Sequence, residues 1–258
     1  MALTAVYLSA EVHMLCLAYS LCTEKEETLA LLLGHFYEEN GKSYARVERC
    51  LICSRKDKRK DRVEISEEQL SGAITEAEAS GTSVVGWSHS HPHITVFPSH
   101  VDLRTQKSLQ MFDQRFFGLI FSCFDTVAAG AERIQLTCFQ TLPDGSRAEI
   151  AIHITPSETF LTPDALSILV HTLPYTLLSE ERQVHDASVA ADPSSPSRSS
   201  SEASPQTIIK QSYHGATLIR SLALLSDRLV NPLVRFCEDR HARNLQEIER
   251  LKRETVGP

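Results

Sequence analysis

The segment 83–88 and the two histidines after it constrain the fold of this chain more than any other stretch. The segment is rich in β-branched and aromatic residues and is entered through Gly81, so it predicts a buried strand. Residues i and i+2 of a strand point to the same face, so His89 and His91 should project side by side where the strand ends. Pro92 cannot donate a ladder hydrogen bond, so the strand should stop there.

A helix should begin shortly after this strand. Ser99 is a candidate N-cap, with Asp102 in the first helical turn. The apolar residues that follow have helical spacing and are Val101, Leu103, Leu109, Met111 and Phe112. The strand end and the helix start can therefore bring His89, His91 and Asp102 to one point. Two imidazoles and one carboxylate, with a fourth position open, are the ligand set of a catalytic zinc ion.

The same residues also have simpler interpretations. Ser99 and Asp102 could form only a capping box. A His-x-His pair on a strand often consists of half-buried surface histidines without a metal. We interpret His93 and His100 as residues around the site and not as ligands. A mononuclear iron oxygenase also uses two histidines and a carboxylate, but usually as His-x-Asp/Glu with a distant histidine. The joint spacing of all the motif residues favours the zinc site.

The motif His89-Ser90-His91-Pro92 with Ser99 and Asp102 resembles the JAMM motif of MPN+ metalloproteases, the zinc isopeptidases that remove ubiquitin and ubiquitin-like proteins. The resemblance is strongest over residues 84–106, 118–124 and 137–140. It covers most of residues 1–155 and, more weakly, the C-terminus. Within the family it points to catalytic subunits of BRISC-type deubiquitinases. It implies an α/β (α+β) fold with a curved, mostly antiparallel sheet flanked by helices, and cleavage of lysine-63-linked ubiquitin chains.

The residues alone leave the general acid-base open among Glu24, Glu26 and Glu27, or indicate only a solvated acidic turn. In the family that this chain resembles, the catalytic glutamate immediately precedes an apolar strand. The resemblance therefore implies that Glu27, just before the apolar run 28–34, is the catalytic glutamate. Ala30 stands where the family often has glycine, which is a small departure from the pattern.

The resemblance also implies roles for the other motif residues. Ser99 would stabilise the oxyanion of the tetrahedral intermediate, and His89, His91 and Asp102 would bind one Zn²⁺ ion. Scaffold proteins with this fold that lack activity usually lack one or more of these residues. Because all of them are present, the sequence favours an enzyme, although its activity could depend on a partner.

The remaining pattern predicts strands and helices mixed along the chain, as in a sheet covered by helices. We expect a helix from Ser9 to about Thr23, a second from Ser66 to about Ser80, and partly helical structure over 157–188. The predicted strands are 4–8, 28–34, 44–53, 117–124, 133–140 and 147–154, the last two as a hairpin. The charged segment 54–62 is either a solvated loop or a basic lip that contacts an acidic surface.

The C-terminal part differs in character. Residues 192–206 are rich in serine and proline and should form a flexible linker. Leu218, Leu222, Leu225 and Leu229 then share one face of a helix. Asn231-Pro232 should end that helix and begin another. The apolar residues along one face of this second helix are Leu233, Phe236, Leu245, Ile248 and Leu251.

The apolar faces of these two helices either pack back onto the domain or form a coiled-coil or bundle contact with another chain. The resemblance favours the second alternative. It implies obligate pairing with a catalytically inactive MPN-domain protein inside a larger hetero-oligomer. We therefore divide the chain into an MPN+ catalytic domain (1–185), a linker (186–206) and a helical assembly segment (207–258).

Composition excludes several other classes of function. The net charge of −7 argues against bulk binding to nucleic acid. The seven cysteines form no disulfide framework, and we interpret Cys50 and Cys53 as structural, which fits a cytoplasmic and nuclear protein. We expect no membrane span, and we expect no signal peptide because the apolar start has no basic leader and contains Glu11.

Overall fold

The computed structural model describes residues 3–55, 65–126, 132–156, 161–190 and 205–255. The chain divides into two units, one that ends at Ile168 and one that begins at Leu169. The first unit contains the sheet and the helices that pack on it, and the second unit is helical. In the described part of the chain, no helix is both long enough and apolar enough to cross a membrane.

Eight described strands form one mixed sheet in the order β7-β6-β5-β4-β2-β3-β1-β8. Antiparallel pairs join β2 to β3 and β4, and β6 to β5 and β7. Parallel pairs join β1 to β3 and β8, and β4 to β5. The strands are β1 (Ala5–Ser9), β2 (Leu29–Glu39), β3 (Lys42–Cys53), β4 (Ser83–Pro92), β5 (Phe117–Thr126), β6 (Glu132–Thr141), β7 (Arg147–Glu149) and β8 (Ala151–Thr155).

The predicted hairpin of 133–140 with 147–154 is only partly correct. β7 pairs with β6, but β8 pairs in parallel with β1 at the other end of the strand order. Only Ile150 separates β7 from β8, and one residue spans about 3.6 Å at most. The two ends of the sheet must therefore lie close together, so the sheet is curved as the resemblance implied.

β2 ends five residues after the end of the predicted strand 28–34. Its first half is buried and apolar, as expected for a central strand, and its second half is largely exposed and still pairs with β3. Asn40 and Gly41 both have positive φ, so they form the tight turn that keeps β2 and β3 in register. The sequence prediction ended at Gly34 because it followed apolar burial, which stops before the backbone pairing does.

The helices of the first unit begin at capping residues, and the caps at Ser9, Ser66 and Ser99 are those that the sequence predicts. α1 (Ala10–Ser20) is capped by Ser9, α2 (Glu67–Ala79) by a capping box of Ser66 and Gln69, and the short α4 (Pro163–Ser167) by Thr162. α3 (His100–Leu109) follows β4. A buried core joins α2 and α3 to the sheet and contains Leu29, Leu31, Cys53, Ala73, Trp87, Leu109, Phe116, Ile120 and Phe139.

In the second unit, α5 (Leu173–Ala190) contacts α6 (Pro205–Leu225). The predicted break at Asn231-Pro232 is wrong. A π-helical segment, Ser226–Val230, connects α6 directly to α7 (Asn231–Thr255), and Asn231 has helical angles of −61° and −44°. Because a π-helical turn shifts the hydrogen-bond register by one residue, we infer that it accommodates the missing N–H of Pro232 without ending the helix.

Two predicted segments lie largely outside the described residues. The basic segment 54–62 is described only at Ser54 and Arg55, so its role stays a prediction. Of the predicted linker 186–206, residues 186–190 belong to the end of α5 and 205–206 to the start of α6. The predicted partly helical structure of 157–188 is confirmed within the described residues, since α4 and α5 lie there.

Candidate metal centre

β4 places two histidines at the centre of the sheet. The strand lies between β2 and β5, and its residues from Val85 to His91 are buried. His89 and His91 are 1% and 2% exposed, and because they are two residues apart their side chains share one face. Their Nε2 atoms lie 3.1 Å apart. Two ring nitrogens therefore meet at one buried point, as the sequence predicts.

α3 brings a carboxylate to the same point. Asp102 Oδ1 lies 3.3 Å from His89 Nε2, and Asp102 Oδ2 lies 3.4 Å from His91 Nε2. The side chain of Asp102 is fixed by a capping box, in which its Oδ2 accepts a hydrogen bond from the Ser99 backbone N–H at 2.6 Å. His89, His91 and Asp102 thus form a buried group in which one ligand atom from each lies within 4.8 Å of the others.

Hydrogen bonds and electrostatics prepare this group for a cation. His91 Nδ1 lies 2.7 Å from the Thr95 carbonyl oxygen, which can only accept, so Nδ1 carries the hydrogen and a neutral His91 directs its Nε2 lone pair at the group. Burial lowers the pKa of His89, against the opposing effect of Asp102. Burial raises the pKa of Asp102, but its interactions with the rings of His89 and His91 outweigh burial and hold that pKa well below its usual range.

The structure also separates the three candidate glutamates. Glu27 is 6% exposed, and its Oε1 lies 4.0 Å from His91 Nε2. Glu24 Oε2 lies 3.9 Å from His93 instead, and Glu26 pairs with Arg55 at 3.0 Å. The register of β2 against β4 explains the difference, because Leu29 lies opposite His89 and so sets Glu27 beside the site. The catalytic role of Glu27 stays a prediction.

Ser99 lies at the exposed rim of the group. Its Oγ accepts a hydrogen bond from the Asp102 backbone N–H at 3.2 Å, so the predicted capping role is present. A hydroxyl that accepts one hydrogen bond can still donate its own hydrogen to a second acceptor. The cap and a donor role toward substrate are therefore compatible.

His93 and His100 are exposed and outside the group, and His93 Nδ1 lies 3.0 Å from the Phe124 carbonyl oxygen.

Two residues near the site were missed in the sequence. Trp87 stacks on His89 with ring centroids 4.4 Å apart, and its indole N–H donates to Gln106 Oε1 at 2.7 Å. The signal was available, since Trp87 precedes His89 by two residues on one strand and Gln106 follows Asp102 by four on one helix. Each therefore lies on the same face as a predicted ligand.

These residues have the donor set of a metal centre: two imidazole nitrogens and an ionised carboxylate, buried and convergent. His89, His91 and Asp102 could hold a metal ion. With a mixed sheet flanked by helices and a glutamate beside the ligands, fold and site define a JAMM-type isopeptidase domain.

Known proteins agree with this class. Residues 1–115 match the family described as "JAB1/Mov34/MPN/PAD-1 ubiquitin protease", and residues 168–256 match the "BRCC36 C-terminal helical domain". The "Lys-63-specific deubiquitinase BRCC36" of Xenopus tropicalis is 37% identical over 266 residues, which cover 98% of this chain and 95% of that protein. The "Lys-63-specific deubiquitinase BRCC36-like" protein of Mus musculus is 36% identical, over 97% and 92% of the two chains.

The chain belongs to the JAB1/Mov34/MPN/PAD-1 ubiquitin protease family. Its similarity to the BRCC36 proteins extends through the catalytic domain and the C-terminal helices. The predicted family and fold class are thereby confirmed.

Proposed function

We propose that this chain is a zinc-dependent deubiquitinase that hydrolyses the isopeptide bond in lysine-63-linked ubiquitin chains. The observation that carries the proposal is the buried convergence of His89, His91 and Asp102, with Glu27 Oε1 4.0 Å from His91 Nε2. The substrate is proposed from the printed names of the relatives that match nearly the whole chain. A scaffold protein without activity would not need a complete set of these residues.

Zinc is the metal that suits this donor set best. Two imidazole nitrogens and one carboxylate oxygen leave a fourth position open, which is the arrangement of catalytic zinc sites. When bound there, Zn²⁺ would supply Lewis acidity and activate water at neutral pH. The side chains that would hold it are His89, His91 and Asp102.

Glu27 and Ser99 are proposed to carry the remaining chemistry. An amide nitrogen is a poor leaving group, so a general acid-base must move a proton from the attacking water to that nitrogen. Glu27 is buried beside the ligands and can serve as this base and then as the acid. The Ser99 hydroxyl at the rim can donate a hydrogen bond to the oxyanion that forms as water attacks.

The helical segment is proposed to assemble the active complex. α6 and α7 expose apolar side chains along their length: Ile208, Ile209, Ile219, Leu224, Val234, Leu245, Ile248 and Leu251. Exposed apolar stripes on helices typically mark contacts with another chain. We propose that the partner is a catalytically inactive, abraxas-like MPN-domain protein in a BRISC-type hetero-oligomer. We further propose that the complex works in the cytoplasm and nucleus, without direct contact to nucleic acid or membrane.

Linkage-defined di-ubiquitins test the proposed activity. The purified chain with its partner should cleave the lysine-63-linked dimer and leave a lysine-48-linked dimer intact. Zinc content should be measured on the same sample. A zinc-loaded complex that cleaves neither dimer would show that the proposed function is wrong.

A further inference from the structure

The two histidine ligands of the proposed metal differ in how their rings are held. His91 Nδ1 is paired with the Thr95 carbonyl, the usual support for a metal-ligating histidine. His89 Nδ1 is buried and has no hydrogen-bond partner within the described part of the chain. No hydrogen bond at Nδ1 therefore helps to fix the plane of the His89 ring.

Trp87 stacks on the His89 ring and can fix its plane. Its indole lies almost parallel to the imidazole of His89, with an interplanar angle of 11° and centroids 4.4 Å apart. The stack restricts rotation of the His89 ring about its χ2 angle, because any tilt would bring the two rings into collision. An electron-rich indole face also favours an imidazole that becomes more positive when its nitrogen binds a cation.

Gln106 in turn fixes the indole. Its side chain is fully buried and accepts from Trp87 Nε1 at 2.7 Å, while its own Nε2 donates to the Phe116 carbonyl at 2.6 Å. Gly118 leaves room for the indole, since a Cβ there would come within 2.9 Å of Trp87 Nε1. The indole is thus held by a hydrogen bond and by close backbone contact.

Gln106 also lies one helical turn after Asp102 on α3. The contacts from His89 through Trp87 to Gln106 therefore connect the strand that bears the two histidines to the helix that bears the carboxylate. We propose that Trp87 and Gln106 are positioning residues, which set the ring plane of His89 and its distance to Asp102 for metal binding. This inference rests on the metal-binding part of the proposed function.

Metal affinity of the full-length chain, measured by competition with a chromogenic chelator, tests the proposal. Trp87→Leu removes the ring and should weaken Zn²⁺ binding about 10–100-fold, the usual cost of losing a group that orients a ligand. Trp87→Phe keeps a ring that can stack but lacks the N–H that Gln106 accepts, so its loss of affinity should be smaller than that of Trp87→Leu. Gln106→Met removes the acceptor that holds the indole and should give an intermediate loss.

Phe139→Leu is the matched control. Phe139 is buried and meets the edge of Trp87 at 66°, so its loss disturbs the same core without removing the stack on His89. It should lower the unfolding temperature and leave metal affinity unchanged. The absorption spectrum of the Co²⁺-substituted protein adds a second readout, which should change in Trp87→Leu and Gln106→Met and not in Phe139→Leu.

The outcomes separate this inference from the proposed function. If the wild-type chain binds no zinc, the proposed function fails. If the wild type binds zinc and Trp87→Leu and Gln106→Met bind it equally well, only the positioning role is wrong. Equal loss of affinity in Phe139→Leu would likewise overturn it, because core packing alone would then explain the effect. Should Trp87→Leu not fold, Gln106→Met decides: a loss of affinity that Phe139→Leu does not share supports the positioning role, and wild-type affinity overturns it.

Discussion

Thr28 and Ser90 are joined by two hydrogen bonds, although 62 positions separate them in the chain. The Thr28 backbone N–H donates to Ser90 Oγ at 2.9 Å, and the Ser90 N–H donates to the Thr28 carbonyl at 3.2 Å. Ser90 stands between the two histidines, and Thr28 directly follows Glu27. This pair therefore fixes the proposed acid-base relative to the proposed ligands.

Glu27→Gln should abolish isopeptide cleavage while zinc content stays near one ion per chain. The amide keeps the shape of the side chain but cannot take up and release the proton that the leaving nitrogen needs. Cleavage of di-ubiquitin and metal analysis of the same preparation check this. Glu24→Gln, at an exposed acid near His93, is the matched control and should remain active. Loss of zinc in Glu27→Gln would show that Glu27 is a ligand instead.

Asp102→Asn should reduce metal occupancy. An amide oxygen can still accept from the Ser99 N–H, so the cap survives, but the negative charge that holds a cation is lost. Elemental analysis after dialysis measures the change. Asp113→Asn removes a carboxylate that pairs with Arg115 at the surface and should leave occupancy unchanged. Full occupancy in Asp102→Asn would remove Asp102 from the ligand set.

Ser99 variants separate its two roles. Ser99→Ala should lose about 1 kcal/mol of stability, because the cap to the Asp102 N–H is gone, whereas glycine at an N-cap costs only a few tenths. Both Ser99→Ala and Ser99→Gly lose the hydroxyl and should lower kcat roughly 10²–10³-fold if it donates to the oxyanion. Stability and kcat are measured on both proteins. A Ser99→Gly protein with wild-type kcat would leave Ser99 with the capping role alone.

The apolar stripe of α7 should be required for pairing with the proposed MPN-domain partner. Replacing Leu245, Ile248 and Leu251 together by lysine should abolish co-purification with the partner, because all three side chains are about half exposed and would meet its surface. The control is Glu249→Lys on the same helix, which removes only a surface contact to Arg253. Pairing of the triple variant with unchanged affinity would show that α7 is not the main assembly surface.

The local part of the site was predictable, and the non-local part was not. His89, His91, Ser99 and Asp102 follow from one strand, one proline and one cap, all readable over short windows. The position of Glu27 beside the site depends on the pairing of β2 with β4. From the residues alone, three glutamates were equally good candidates for the general acid-base. Only the resemblance to a family separated them before the structure did.

The errors in the fold have the same origin. The alternating pattern at 147–154 is local, but β8 pairs with β1, whose residues are far away in the chain. At Pro232 the sequence rule predicts the end of a helix, because proline has no N–H to donate. The helix continues instead through a π-helical turn, which accommodates the missing N–H. The first case shows that a local signal predicts an element more reliably than its neighbours, and the second that a local signal can have more than one structural outcome.

Cleavage of lysine-63-linked di-ubiquitin by the full-length chain, with and without its partner and a zinc chelator, tests the central claim most directly. We expect cleavage that rises with the partner, disappears with the chelator and returns when Zn²⁺ is restored. The account would be contradicted by cleavage that the chelator leaves unchanged, or by no cleavage from a zinc-loaded, partner-bound protein.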